Sequence, residues 1–347
     1  MPLSKKGRAA VASAPEVEAA AEELLRRGNA VDAVVAGVFA ACATSPSVLL
    51  GPCQILLGGA GQGLHALDGR VRQPGIGAPR PRGFTPDEEI PDAARIGVPW
   101  LPATLAAALA QSGSATLTQV MAPAQALAKG TARAATLAKI GQRGARALEE
   151  RPLATELLVV GGRANGGLLT AEDLASARPH VAGANRLVLE RSKKKEGLEG
   201  RVVVTLPWAN VEDRAPRAPT QPVDIGATRS VVAVDRHGGF AIACFADSPD
   251  GVMLDELGLR APFFAEPVRR GATRVKPGDA RAAAAPMALV GTTTAPEVAM
   301  AAFGAGDGYD VLAGAIASLL DEERLEAHGA AQFVALTHAN GVASVFR

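Results

Sequence analysis

Aromatic residues are scarce in this 347-residue chain, at 3% against 48% hydrophobic residues overall, so a core has to be built mainly from Ala, Val and Leu. Cysteine is scarcer still. Cys42, Cys53 and Cys244 are an odd set with no C-x-x-C spacing, which argues against a disulfide framework and against a zinc site. Neither a metal nor a cofactor is expected. Charge of one sign is also lacking: 36 Lys and Arg face 35 Asp and Glu, a net charge of +1, so no global field recruits nucleic acid or an anionic membrane. The basic run Arg191–Lys195 has no neighbouring aromatics for base stacking and reads as a solvated loop. No run reaches the roughly 18 uncharged apolar residues that span a bilayer. The N-terminal residues carry positive charge without an apolar h-region, so no signal peptide is read and a cytoplasmic location is the expectation.

What is present is a long, largely helical first half. Apolar spacing predicts helices over 14–27, 30–43, 101–112, 117–129, 132–149 and 171–175, with Gly28-Asn29 ending the first and Thr170 starting the last. The stretch 30–43 is apolar on every side, as expected of a helix buried between a sheet and other helices. Repeated prolines make 73–84 an extended loop. An apolar strand over 201–207 follows. Residues 212–223 read as a polar, proline-rich linker, and two strands over 230–235 and 240–245 are joined by a turn at 236–239 that contains His237.

Several segments occur in an order that is informative. Gly28-Asn29-Ala30-Val31-Asp32-Ala33-Val34-Val35-Ala36 comes first, then Leu67-Asp68-Gly69-Arg70 with Pro74 after it, and then Ile96-Gly97-Val98-Pro99. Gly166-Gly167-Leu168-Leu169-Thr170-Ala171-Glu172-Asp173-Leu174, with Arg178-Pro179, and Thr228 to Asp235 complete the set. Together they resemble the γ-glutamyltranspeptidases, a group of N-terminal-nucleophile hydrolases. The resemblance implies an α+β fold: a four-layer αββα sandwich with a helix-rich N-terminal part. It implies a large-subunit-like region over 1–227 and a small-subunit-like region over 228–347, together forming one compact unit.

The resemblance also implies a site. Aligning Asp235 and the Gly238 turn with the family's T-T-H-x-x-V-V-D pattern places Thr228 on the nucleophile, which self-cleavage before that residue would free. Arg70 matches the arginine that grips the substrate α-carboxylate, Gly306 and Gly308 fall on the oxyanion segment, and Glu256 lies where a group for the substrate ammonium is placed. Other positions depart from the pattern. Arg229 and Ser230 replace a threonine and a histidine, Val71 replaces a glutamate, and Cys244 or Ala246 stands for a bracing hydroxyl residue. Ala282 and Ala283 stand for paired hydroxyls that cannot be replaced by methyl groups as hydrogen-bond donors.

The expected activity is therefore transfer of a γ-glutamyl group from a glutathione-like donor to water or an amine. The alternative is a family member that has lost catalysis, stays uncleaved and serves as a binding or assembly protein. Its partner is expected to be a small γ-glutamyl or amide molecule, with no nucleic acid and no membrane, and with room for a homodimer.

Overall fold

The computed structural model describes residues 3–59, 63–188, 200–219, 227–304 and 307–347. The basic run at 191–195, the end of the expected linker and Gly306 lie outside them. Eight helices occur among the described residues: α1 (Pro15–Leu25), α2 (Ala30–Thr44), α3 (Leu101–Ser112), α4 (Leu117–Leu127), α5 (Arg133–Arg143), α6 (Leu153–Gly161), α7 (Ala171–Ala175) and α8 (Gly308–Glu322). The strands before Thr228 are β1 (Leu3–Lys6), β2 (Ala9–Ala12), β3 (Cys53–Gly58), β4 (His65–Gly69), β5 (His180–Gly183), β6 (Asn185–Val188), β7 (Arg201–Thr205), β8 (Asn210–Glu212) and β9 (Ala215–Arg217). Then come β10 (Ala227–Val234), β11 (Phe240–Asp247), β12 (Gly251–Leu254), β13 (Leu259–Pro262), β14 (Met287–Thr292), β15 (Pro296–Phe303), β16 (Gln332–Ala339) and β17 (Val342–Phe346).

The strands assemble into a six-stranded sheet, β2-β10-β11-β3-β4-β5, and a seven-stranded sheet, β1-β17-β16-β15-β14-β7-β6. Side chains alternate between faces along each strand, and the two faces of each sheet separate cleanly. Val232, Val234, Ile242 and Leu56 of the first sheet pack with Val204, Leu289, Ala299 and Leu336 of the second. The alternate residues of the first sheet, Val231, Ala243, Phe245 and Ile55, pack against Val34, Val38 and Phe39 of α2 and against residues of α3 to α7. On the far side, Val290, Val298 and Met300 pack against Val311, Leu312, Ala315 and Ile316 of α8. The result is the αββα sandwich that the sequence resemblance implies, with α1 to α7 on one outer face and α8 on the other.

Small side chains let α2 lie flat between α1 and the sheet, with Ala, Val and Gly buried all round it. Its start is tied down by buried polar groups. Asn29 accepts from the N–H groups of Val31 and Asp32, and Asp32 returns a bond to the Asn29 N–H at 2.8 Å, a complete capping box. Asp32 also accepts from the backbone of Ser114 and Ala115, each at 3.0 Å, and so joins α2 to the α3–α4 loop. A Cβ on Gly28 would stand 2.4 Å from the Asp32 carboxylate, which explains the glycine. Asp173 works in the same way: it caps α7 through Thr170 and accepts from Gly75 at 2.8 Å and Ile76 at 2.9 Å. Asp235 holds the β10–β11 turn through His237 and Gly239 and reaches the Ala30 N–H at 3.3 Å.

Two expectations change. The expected helix over 132–149 ends at Arg143, because Gly144 takes a left-handed φ of 59° and a short 3-10 turn follows. The expected linker begins inside the hairpin β8–β9, whose second strand lies wholly within it. The segment around Leu67 is the strand β4, and neither it nor α6 was anticipated.

Removing the Asp32 carboxylate leaves the N–H groups of Asn29, Ser114 and Ala115, in part-buried bonds, without that acceptor. Asp32→Ala should lower stability by about 2–4 kcal/mol, read as a shift in urea midpoint at unchanged slope.

Candidate active site

Strand register decides what meets at the open end of the sandwich. Across the first sheet, Ser230, Cys244, Gln54 and Asp68 stand in one row. One step toward the end of the sheet, Thr228 pairs with Ala246, and Ala246 donates its N–H to Pro52 at 3.2 Å. Arg70 follows Asp68 at the same level. Residues in line share a face, so the backbones of Thr228 and Arg70 are roughly 14 Å apart, three strand spacings of about 4.8 Å, along the face that looks toward the second sheet. On that side Thr228 forms an antiparallel bridge with Gly304, donating at 3.3 Å and accepting at 2.7 Å. Thr228 is half-buried at the point where the two sheets converge.

Arg70 lines a cavity of about 230 Å³ together with Gln54, Trp208, Ala282, Ala283 and Tyr309. Thr228 does not line it, but its partner Ala246 packs against Ala283 and Val71 in a small apolar cluster, so the two positions adjoin. Arg70 is firmly held. Its Nε and Nη2 donate to the two oxygens of Asp68 at 2.9 and 2.8 Å, and its guanidinium sits 5.1 Å from the centre of the Trp208 ring. Arg72 meets Asp68 at 2.8 Å and lies over Trp100 at 3.9 Å. Trp208 is fixed in turn, donating to Gln54 at 2.6 Å.

The remaining expected residues lie in different places. Gly308 is the first residue of α8, where backbone N–H groups have no intrahelical partner. Gly306 lies outside the described residues. Glu256 is exposed in a short turn after β12 and lines a separate cavity with Lys139 and Leu153, so it does not meet Arg70. A charged loop residue carries no periodicity, so the sequence does not fix which wall of the fold it joins. Asp255, its neighbour, is exposed beside it.

Two features of the site were not anticipated. Ser230 Oγ is fully buried with no hydrogen-bond partner, two residues beyond Thr228 on the same face. Arg229, pointing the other way, pairs with Asp247 at 2.7 Å, and Asp247 also accepts from Ser45 and from Ser47 at 2.7 Å. The ion pair anchors the start of β10 from the helix side. The signal for it was the replacement of a neutral residue by Arg229 opposite an acidic strand end.

Electrostatics at Asp68 follow from its neighbours. Burial opposes ionisation, but the hydrogen bonds and charge of Arg70, joined by Arg72, outweigh it and hold the carboxyl below its ordinary range. Cys244 lies in the interior, where burial pushes its thiol up and leaves it an inert neutral group. Among the described residues no cluster of His, Cys, Asp and Glu could hold a metal ion, and no helix is long and apolar enough to cross a membrane.

Because the folded-state value of Asp68 is lowered, its contribution is complete above the unfolded carboxylate value of about 3.9 and is lost as pH falls through the lower folded value. Asp68→Asn, which leaves two guanidiniums uncompensated, should cost about 3–5 kcal/mol at neutral pH. It should also flatten the fall in stability below about pH 4 relative to the parent, as read by thermal melts across that range.

No protein-family model matches the sequence, and no curated protein matches it. Solved structures do. Cephalosporin acylase from Bacillus halodurans superposes with a TM-score of 0.73 at 14% identity, covering 99% of this chain and 94% of that one. A structure of LmbA2991HD superposes at 0.68 with 15% identity, covering 100% and 97%. A gamma-glutamyltranspeptidase from Pseudomonas nitroreducens aligns at 0.48 with 22% identity over 58% of this chain and 71% of that one, a partial match on which nothing further rests. The first two share their fold with this chain, the αββα sandwich of two stacked sheets between helix layers described above.

Proposed function

We propose that the chain is an amide hydrolase or acyltransferase that cleaves itself before Thr228 and then uses that residue as its nucleophile. The observation that carries this reading is the position of Thr228, at the start of the inner strand β10, facing the space between the sheets on the level that ends at Arg70. A threonine hydroxyl attacks poorly until a base lies within hydrogen-bond reach, and the freed α-amine of the same residue supplies that base.

The chemistry then needs little else from side chains. Thr228 Oγ adds to the amide carbon while its proton passes to the α-amine and on to the departing nitrogen. The acyl ester is broken by water or by an acceptor amine. The transient oxyanion is held by backbone N–H groups, for which the start of α8 at Gly308 is the described candidate. This economy reconciles a working site with Ala246, Ala282 and Ala283 at positions where the resemblance expects hydroxyls. Arg70 grips a carboxylate of the acyl group, and the γ-glutamyl group of a glutathione-like donor is the specific form of that acyl group.

A second reading has its own support. The residue directly opposite Thr228 is Ala246, which offers a nucleophile no hydrogen bond. That suits an uncleaved protein that binds a small molecule without turning it over.

Hydrolysis of a chromogenic γ-glutamyl anilide tests the first reading. Thr228→Ala should abolish it, and turnover unchanged in that variant would remove Thr228 from the mechanism. Arg70→Lys, which loses the forked geometry, should raise KM at least about tenfold with a smaller change in kcat. An unchanged KM would remove Arg70 from the substrate site.

A further inference from the structure

The cavity beside Arg70 contains more donors than that one guanidinium. Tyr309, the single tyrosine of the chain, reaches it from the first turn of α8. Its phenolic oxygen accepts the Ala285 N–H at 2.9 Å, and that bond leaves its own O–H proton to be donated. Burial pushes the phenol up to about 12, against the opposing effects of the Ala285 N–H and the Arg70 charge, so it is a neutral donor at physiological pH.

Arg217, from β9, lines the same cavity. Its Nε is buried without a hydrogen-bond partner. The carboxylates around it, those of Glu212, Asp213 and Asp310, stand at 3.9, 3.6 and 3.7 Å, too far for hydrogen bonds. No aspartate or glutamate is among the described residues that line the cavity, while Ala282 and Ala283 contribute only methyl groups. Besides the amides of Gln54 and Asn210, the polar side chains of the described wall are the donors Arg70, Arg217, Trp208 and Tyr309. An orphaned buried guanidinium nitrogen is costly unless a ligand satisfies it.

We propose that Tyr309 and Arg217 complete, with Arg70, an anion site that grips one carboxylate of a short aliphatic acyl group. Tyr309 supplies the neutral O–H donor that Ala282 and Ala283 cannot give, and Arg217 closes the site from the β8–β9 hairpin. The identity of the acyl group rests on the proposed function above; the presence of the site does not. With no carboxylate among the described lining residues, recognition falls on the anion of the ligand and not on an adjacent ammonium.

The test uses the full chain carrying Thr228→Ala, which is a single non-reacting species. L-Glutamate and glutarate, which share the terminal carboxylates and differ in the ammonium, are titrated by calorimetry. In parallel, tyrosinate absorbance reports the ionisation of Tyr309 alone. Binding of either probe should shift tyrosinate formation to higher pH, since the bound anion accepts the phenolic proton. Tyr309→Phe should weaken binding about tenfold to a hundredfold, and Arg217→Gln should do the same.

Unchanged affinity in Tyr309→Phe together with an unmoved tyrosinate titration overturns the assignment, as does the failure of both probes to bind. Should Tyr309→Phe fold poorly, the absorbance shift in the parent still decides. Failure here is separable from failure of the proposed function. A parent chain that binds as described but never cuts itself or an amide loses that function and keeps this site. One that turns over γ-glutamyl amides with Tyr309 unperturbed keeps the function and loses this site.

Discussion

The register of the inner sheet is the constraint on which the site depends. Because β10, β11, β3 and β4 are adjacent and in fixed alignment, Thr228 and Arg70 come to the same end and the same face of one sheet, although they are far apart in sequence. A slip of one residue in β10 would turn Thr228 toward α2 and bring Arg229 between the sheets. The core prevents that slip, since Val232 and Val234 on one face and Val231 and Ala233 on the other fill different spaces. Arg229, held by Asp247 on the outer face, adds a polar lock beside the nucleophile position.

A second set of interactions holds the layers to this sheet. Asp32, Asp173 and Asp235 are buried carboxylates spent on backbone N–H groups that belong to different segments. Each replaces water for donors that a turn or a helix start would otherwise leave unpaired. Asp68 is the fourth, and it differs in meeting two guanidiniums, which orient Arg70 toward the cavity. The short motifs most conspicuous in the sequence are thus chiefly scaffold. Gly28 to Asp32 is a helix start and its tether, and Thr170 to Asp173 is another.

This explains what could be read in advance. The start of α7 was legible, because Thr170 marks it with a definite hydrogen-bonding chemistry, whereas Asn29, read as the end of the first helix, also caps the start of α2. The four-layer architecture came from the resemblance and matches the observed packing. Strands β14 and β15 were not read. They lie between a sheet and a helix, so both faces are apolar, and alternation, the usual signal of a strand, is absent. The linker over 212–223 hid the β8–β9 hairpin because its prolines suggested an unpaired chain, whereas Pro216 sits in a short two-stranded piece. Of the site, Arg70 lies on the cavity wall, Thr228 adjoins it, and Glu256 lies elsewhere. Tyr309 went unread although the chain has one tyrosine, placed at the start of a helix just after a glycine-rich segment.

The central claim is that Thr228 becomes an N-terminal residue. Intact mass of the purified chain after several days at neutral pH, with N-terminal sequencing of any fragments, tests it most directly. The account predicts two pieces that meet between Ala227 and Thr228, the second starting with threonine. A single uncleaved chain of full mass would contradict it and leave the binding-protein reading in its place.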